Sequence, residues 1–250
     1  MKASTPWVEC YKPNPQARLR MFCFPYAGGA AQVFRSWQMD LPSSVEVFPV
    51  QLPGRWTRIK ERPFTKIESL VETLSSELLP YFDRDYVFYG HSLGALISFE
   101  LARVLRTKSR LGPRLLMVSA RRAPQVIRSD IPIYSLPDDE FIEQVIKRYA
   151  GVPKVVLEEP ELLKILLPAL RADLEMFETY KYVHMPPLSC PIVAFGGKED
   201  PNAKEEELGR WREQTTEWFD LKTFGGDHFF LQSSQKELLE NISFFIGRLY

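Results

Sequence analysis

Three side chains in this sequence could together make and break an acyl bond: Ser92 in Gly90-His91-Ser92-Leu93-Gly94, Asp200 at the end of Gly196-Gly197-Lys198-Glu199-Asp200, and His228 in Gly225-Gly226-Asp227-His228. A serine hydroxyl at its ordinary pKa is a poor nucleophile. It needs an imidazole to take its proton and a carboxylate to hold that imidazole in the right tautomer. Glycine flanks Ser92 where a strand turning sharply into a helix brings backbone too close for a Cβ. The pentapeptide therefore reads as an elbow that lifts the hydroxyl above a sheet, with the Leu93 N–H at the helix start facing developing negative charge. A bare G-x-S-x-G is equally an ordinary tight turn, so the remaining chain must decide.

The chain has three histidines. His91 adjoins Ser92, but neighbouring side chains diverge on a sharp turn, so it is expected to pack near the strand end. His184 lies before Pro186-Pro187, where solvation or packing is the simpler role. His228 sits in a glycine-loosened loop after the last expected strand, the slot that follows serine and acid in α/β-hydrolase order. For the acid, Asp200 ends the turn after the strand Ile192 to Phe195; Glu199 beside it could serve instead, and Asp227 is poorly placed to reach around to Nδ1. The loop Phe24-Pro25-Tyr26-Ala27-Gly28-Gly29-Ala30 offers the Ala27 N–H as a second oxyanion donor beside Leu93.

The elements that must carry these residues alternate. Strands are expected at Leu19 to Phe24, Val45 to Val50, Tyr86 to Tyr89, Leu115 to Val118, Ile192 to Phe195 and Trp218 to Phe224. Helices are expected from Lys66 to near Phe82, after Ser92, at Lys204 to Gln214 and at Gln235 to Leu249. The first carries the capping-box spacing of Thr65 and Glu68, the last that of Ser234 and Glu237. Alternation of this kind predicts an α/β fold, a mostly parallel sheet flanked by helices. Arg121 to Pro187 breaks the rhythm with helical pattern alone, which Pro168 should kink or divide. That segment, 121-187, reads as a helical lid inserted into a single 1-250 domain, with an apolar supply in Phe141, Ile142, Val145, Ile146, Leu163, Leu166, Leu167, Leu170, Met176 and Phe177.

The composition narrows the function class. Across 250 residues, 32 Lys and Arg balance 32 Asp and Glu, leaving no field to draw nucleic acid or an anionic membrane. The N-terminus lacks a signal-peptide core and no apolar stretch is long enough to span a bilayer, so a cytoplasmic location is expected. Cys10, Cys23 and Cys190 are scattered, which argues for reduced thiols over disulfides or zinc, with Cys23 in a buried strand.

FPYAGG, QLPGR, GHSLGA, SARRAP, LPDDEF, LLPALRAD, PIVAFGGKEDP and GGDHFFL follow one another in this order. In this the chain resembles the discrete type II thioesterases of nonribosomal peptide and polyketide synthesis, and their relative the medium-chain thioesterase that works beside animal fatty-acid synthase. The resemblance runs from about Arg18 to the C-terminus. It implies an α/β-hydrolase fold with a mobile helical lid, Ser92 as nucleophile, Asp200 as acid, His228 as base, and Ala27 with Leu93 as oxyanion donors. It also implies hydrolysis of acyl thioesters from the phosphopantetheine arm of acyl or peptidyl carrier proteins, without metal or cofactor. Trp56 departs from the pattern, since relatives usually carry an acidic residue after LPGR. Rival readings are an acyltransferase or cyclising thioesterase, a general carboxylesterase, and a non-catalytic interaction module. Arg55, Arg58, Lys60 and Arg62, four bases against Glu61, mark the loop 55–62 as a candidate docking surface for an acidic carrier.

Overall fold

The six strands are Leu19–Phe24 (β1), Val45–Pro49 (β2), Asp85–His91 (β3), Leu116–Ser119 (β4), Ile192–Gly197 (β5) and Phe219–Phe224 (β6). They pair in the order β2-β1-β3-β4-β5-β6, every pair parallel. The computed structural model describes residues 5–109, 112–127, 131–149 and 160–250. The longer helices are Ile67–Glu77 (α1), Leu93–Ser109 (α2), Asp138–Tyr149 (α3), Pro160–Thr179 (α4), Glu205–Gly209 (α5) and Gln235–Gly247 (α6).

The inner strands are largely apolar on both faces because both are covered, whereas the edge strand β6 is only part-buried and carries Asp220 and exposed Lys222. Phe22, Phe24 and Phe88 point to one side, into a cluster with Leu70 and Leu74 of α1 and Leu96 and Phe99 of α2. Met21, Cys23, Val87 and Tyr89 point to the other, into a cluster with Leu238, Ile242 and Phe245 of α6. Cys23 is fully buried in β1, as its place in LRMFCF predicts. Burial raises the thiol pKa of Cys23 and of Cys190, the latter to about 12, so neither is a ready nucleophile.

Between β4 and β5 the described residues form no named strand. The segment holds α3 and α4, which share a small apolar cluster of their own built on Ile133, Phe141, Val145, Leu167 and Leu174. Residues 128–130 and 150–159 of the expected 121–187 insertion lie outside the described residues. Arg171 of α4 donates to the Tyr134 and Leu136 carbonyls, and Glu178 accepts the Ile133 and Tyr134 N–H groups, which ties the approach to α3 onto α4. No helix among the described residues is long and apolar enough to cross a membrane.

Several expected helix features differ. Neither capping box forms. Lys66 holds the N-cap of α1 with no side-chain cap. Ser234 likewise leaves α6 uncapped, because its Oγ donates instead to the Gly225 carbonyl in the loop that carries His228. Helix α1 ends at Glu77 rather than near Phe82; Pro80, which has no N–H to give, stands in the tighter turn Leu79–Tyr81. The expected helix at Lys204 to Gln214 loosens at Gly209 into a 3-10 turn, Arg210–Gln214. Helix α4 runs undivided through Pro168; Pro168 and Lys164, whose carbonyl loses its donor there, are both exposed, so water can meet that carbonyl.

Candidate active site

The chain leaves β1 toward β2 on one side, while β3 lies on the other, so a crevice opens where the carboxyl ends of β1 and β3 part. Register sets the neighbours: Phe24 of β1 stands beside Gly90 of β3. The 25–30 loop and the serine turn therefore emerge side by side.

Ser92 lies between the last residue of β3 and the first of α2 with φ 55°, left-handed for a side-chain-bearing residue. Such a conformation costs about 1–3 kcal/mol and persists only where the surroundings impose it. They do so here through the Ser92 N–H donating to Ser119 O at 2.8 Å and the Ser92 carbonyl accepting from Ala95 N at 3.1 Å. A Cβ on Gly90 would overlap the Gly94 carbonyl, and one on Gly94 would overlap the Phe24 carbonyl. The flanking glycines are thus explained by close approach, as the elbow requires.

Ser92 Oγ lies 3.0 Å from His228 Nε2, and His228 Nδ1 lies 2.8 Å from Asp200 Oδ2. All three residues are buried. The carboxylate accepts the Nδ1 proton, so Nε2 carries the lone pair and accepts the serine proton. The other Asp200 oxygen accepts Asn202 N–H at 2.8 Å, which fixes the carboxylate plane. The rival acids are engaged elsewhere: Glu199 accepts the Gly226 N–H, and exposed Asp227 accepts Phe229 N–H at 2.8 Å. His184 is exposed.

His91 does more than pack. Its Nε2 donates to the His228 carbonyl at 2.8 Å, which leaves Nδ1 to accept from Ser119 Oγ at 3.0 Å. The residue before the serine thus clamps the backbone of the histidine that meets the serine. The sequence carried no sign of this, since the partner is 137 positions away and is a main-chain atom. Burial, then the nearby His228, push the His91 pKa well below its ordinary value. The unfolded chain takes up that proton near pH 6.5 and the native state does not, so stability present above that pH is lost as pH falls. In thermal melts between pH 7 and 5, His91→Gln should lose a slope of up to about 1.4 kcal/mol per pH unit that the wild type shows; identical pH dependence in both would contradict it.

Leu93 is the first residue of α2, where N–H groups have no intrahelical acceptor. Ala27 lines a cavity of about 530 Å³ together with Ser92 and His228. Its other walls are mainly apolar, with Val145 and Tyr149 of α3 and Leu163, Leu166, Leu170 and Phe177 of α4. Trp56 also lines it, 55% exposed and with φ 50°. Among the described residues no three His, Cys, Asp or Glu side chains gather where they could hold a metal ion.

The 55–62 loop is not the basic surface its composition suggests. Arg55 and Arg58 are buried. Arg55 forms a two-pronged ion pair with Asp173 of α4, at 2.5 and 2.8 Å. Arg58 pairs with Glu61 at 2.5 Å, donates to Gln51 O and stacks over Trp7. Only Lys60 and Arg62 of the four face solvent. A guanidinium can meet internal carbonyls and carboxylates with several donors at once, so local charge gave the wrong side.

A thioesterase-domain family model matches residues 19–246. Gramicidin S biosynthesis protein GrsT of Aneurinibacillus migulanus is 44% identical over 234 residues, 94% of this chain and 91% of that protein. Thioesterase PikA5 of Streptomyces venezuelae is 37% identical over 238 residues, 95% and 84% of the two chains. The structure of BorB, the type II thioesterase from the borrelidin biosynthetic cluster, superposes with a TM-score of 0.88 at 34% identity, covering 97% of this chain and 98% of that one. Agreement over nearly the whole length, on a sheet that ends in a serine turn facing a histidine and a carboxylate, makes this chain a member of the type II thioesterase family, enzymes that are serine hydrolases.

Proposed function

We propose that this protein hydrolyses acyl groups from the phosphopantetheine arm of acyl or peptidyl carrier proteins, clearing wrong or stalled units in polyketide or nonribosomal peptide synthesis. The observation that carries the reading is the line from Ser92 Oγ through His228 to Asp200, at 3.0 and 2.8 Å. In it His228 takes the Ser92 proton as Oγ attacks the thioester carbonyl. The oxyanion forms against the Ala27 and Leu93 N–H groups, and collapse expels the pantetheine thiol. A thiolate, whose thiol has a pKa near 8.5, leaves readily and then takes the proton from His228, so the step asks little of an acid and returns the imidazole to its basic form. Water deprotonated by His228 then attacks the acyl-serine ester, releasing the free acid and restoring the Ser92 hydroxyl.

The 1–250 chain reads as one hydrolase domain and the 121–187 segment as its lid. The separate apolar cluster of α3 and α4, and the cavity between these helices and the serine turn, support that reading. A cytoplasmic location is part of this proposal. The test is hydrolysis of one acyl group presented as a carrier-bound thioester and as a simple oxyester, with products identified by mass spectrometry. Free acid, and higher kcat/KM on the carrier thioester, is the expected result. A preference for the oxyester, or transfer to an alcohol or amine in place of water, would overturn it.

A further inference from the structure

We propose that Trp56 is a specificity-determining residue: its indole, held at the mouth of the active-site cavity, seats the pantetheine chain of the carrier's arm on its way to Ser92. The inference rests on the reading of a carrier-bound thioester as the substrate.

The cavity lining divides by exposure. Toward the lid it is apolar, with Val145, Leu167 and Leu174 buried. The lining residues that face solvent are Gly28, Gln32, Trp56, Asp227 and Gln232. A folded carrier cannot enter about 530 Å³, so its arm must cross this mouth while the acyl group lies inside. Beyond the amide nearest the sulfur, the arm carries methylenes, a second amide, a hydroxyl, a pair of methyl groups and then the phosphate. Among the exposed lining residues Trp56 alone offers a large flat apolar face, with a ring N–H at its edge, and that combination matches an apolar chain interrupted by amides. Charge selects the side of the mouth. The loop of Trp56 runs on to exposed Lys60 and Arg62, with the intervening Glu61 taken up by Arg58. Asp227, at the His228 side, is exposed and would repel a phosphate.

The position of the indole is imposed. Trp56 has φ 50°, which a bulky side chain adopts only where its surroundings force it. Ser92 and Ala120 are the only other side-chain-bearing residues at positive φ among the described residues. The force comes from both neighbours. Arg55 is buried on Asp173 and donates to the Gly29 and Pro53 carbonyls. Arg58 is buried over the Trp7 ring and donates to the Gln51 carbonyl. Between them the Trp56 carbonyl accepts from Ile59 N–H at 3.2 Å, closing the 3-10 turn Trp56–Arg58. With both arginines turned inward, the indole is turned outward, 55% exposed and yet part of the cavity wall. A ring fixed before the substrate arrives loses little freedom on binding it.

The test presents one acyl group on three thiols without the carrier: phosphopantetheine, pantetheine, and N-acetylcysteamine, which ends at the amide nearest the sulfur. Wild-type KM should be lowest on the phosphorylated arm and highest on N-acetylcysteamine. Trp56→Ala should raise KM about tenfold on both arm thioesters with kcat little changed, as expected when binding shared by ground and transition states is lost, and raise it by less than about twofold on the N-acetylcysteamine thioester. Trp56→Phe should bring the arm KM back to within about threefold of wild type. Lys60→Ser with Arg62→Ser should shrink the difference between phosphopantetheine and pantetheine thioesters and leave the other two substrates as they were. Equal losses on all three thioesters, a loss in kcat alone, arm KM values unchanged in Trp56→Ala, or a phosphate preference that survives in the Lys60 and Arg62 variant would each overturn the inference. So would a changed preference for acyl length among N-acetylcysteamine thioesters, which would make Trp56 a wall of the acyl chamber. Should Trp56→Ala fail to fold, Trp56→Gly, which takes a left-handed backbone without strain, decides on the same readouts. Turnover that survives Ser92→Ala, or a wild-type preference for oxyesters, would instead overturn the thioester-hydrolase reading itself.

Discussion

Ser92→Ala should lower kcat on a carrier-bound thioester by about 10⁴-fold or more, with Tm and carrier binding close to wild type. The size follows from what the hydroxyl does: the acyl group has no other covalent stop, and the residues of such a relay act as a unit. Stability should hold because the left-handed turn is fixed by main-chain bonds from Ser92 to Ser119 and Ala95, which alanine keeps. The lost Oγ contact is a single bond to His228. His228→Ala should fall nearly as far. Measured by single-turnover release of the carrier thiol, retention of more than a few per cent of activity in Ser92→Ala would remove the serine from the mechanism.

Asp200→Asn should cost about 10³–10⁴-fold in kcat, while Glu199→Gln and Asp227→Asn should stay within about fivefold. The reason lies in which atom Asn202 N–H claims. It is bonded to Asp200 Oδ1, so after substitution the amide oxygen is held there and the NH2 group faces His228 Nδ1. Facing a donor, Nδ1 must give up its proton to Nε2, and Nε2 can no longer accept from Ser92. Glu199 and Asp227 hold backbone N–H groups of the same loop, and their amides retain an acceptor oxygen for that purpose. Steady-state rates for the three variants check the ranking, and the reverse order would move the acid to another carboxylate.

What could be read from the sequence was whatever repeats with local period or sits at a strand end. The alternation of Met21-Phe22-Cys23-Phe24 fixes a strand buried on both faces; Ser92 and Asp200 each follow such a strand, and His228 follows the part-buried edge strand β6. A parallel sheet gathers its carboxyl ends, so three slots far apart in sequence converge. Side-chain partners across the fold carry no local period. Arg55 and Asp173 are 118 positions apart, and a guanidinium in a basic-looking loop reads as solvated until its carboxylate is found. His91 meets a main-chain oxygen, which no residue type announces. The capping boxes misled for a related reason: Ser234 Oγ had a competing acceptor at Gly225, visible only once the His228 loop is in place.

The central claim is that the acyl group passes through Ser92 on its way from carrier to water. Mixing the protein with a stoichiometric acyl-carrier substrate, quenching in acid within milliseconds and weighing the intact chains tests it most directly. The predicted result is a transient species heavier than the protein by one acyl group, mapped by peptide sequencing to Ser92, appearing as the carrier gains a free thiol and decaying to free acid. Full hydrolysis with no acylated species at any time, in a protein whose Ser92→Ala variant also turns over, would contradict it.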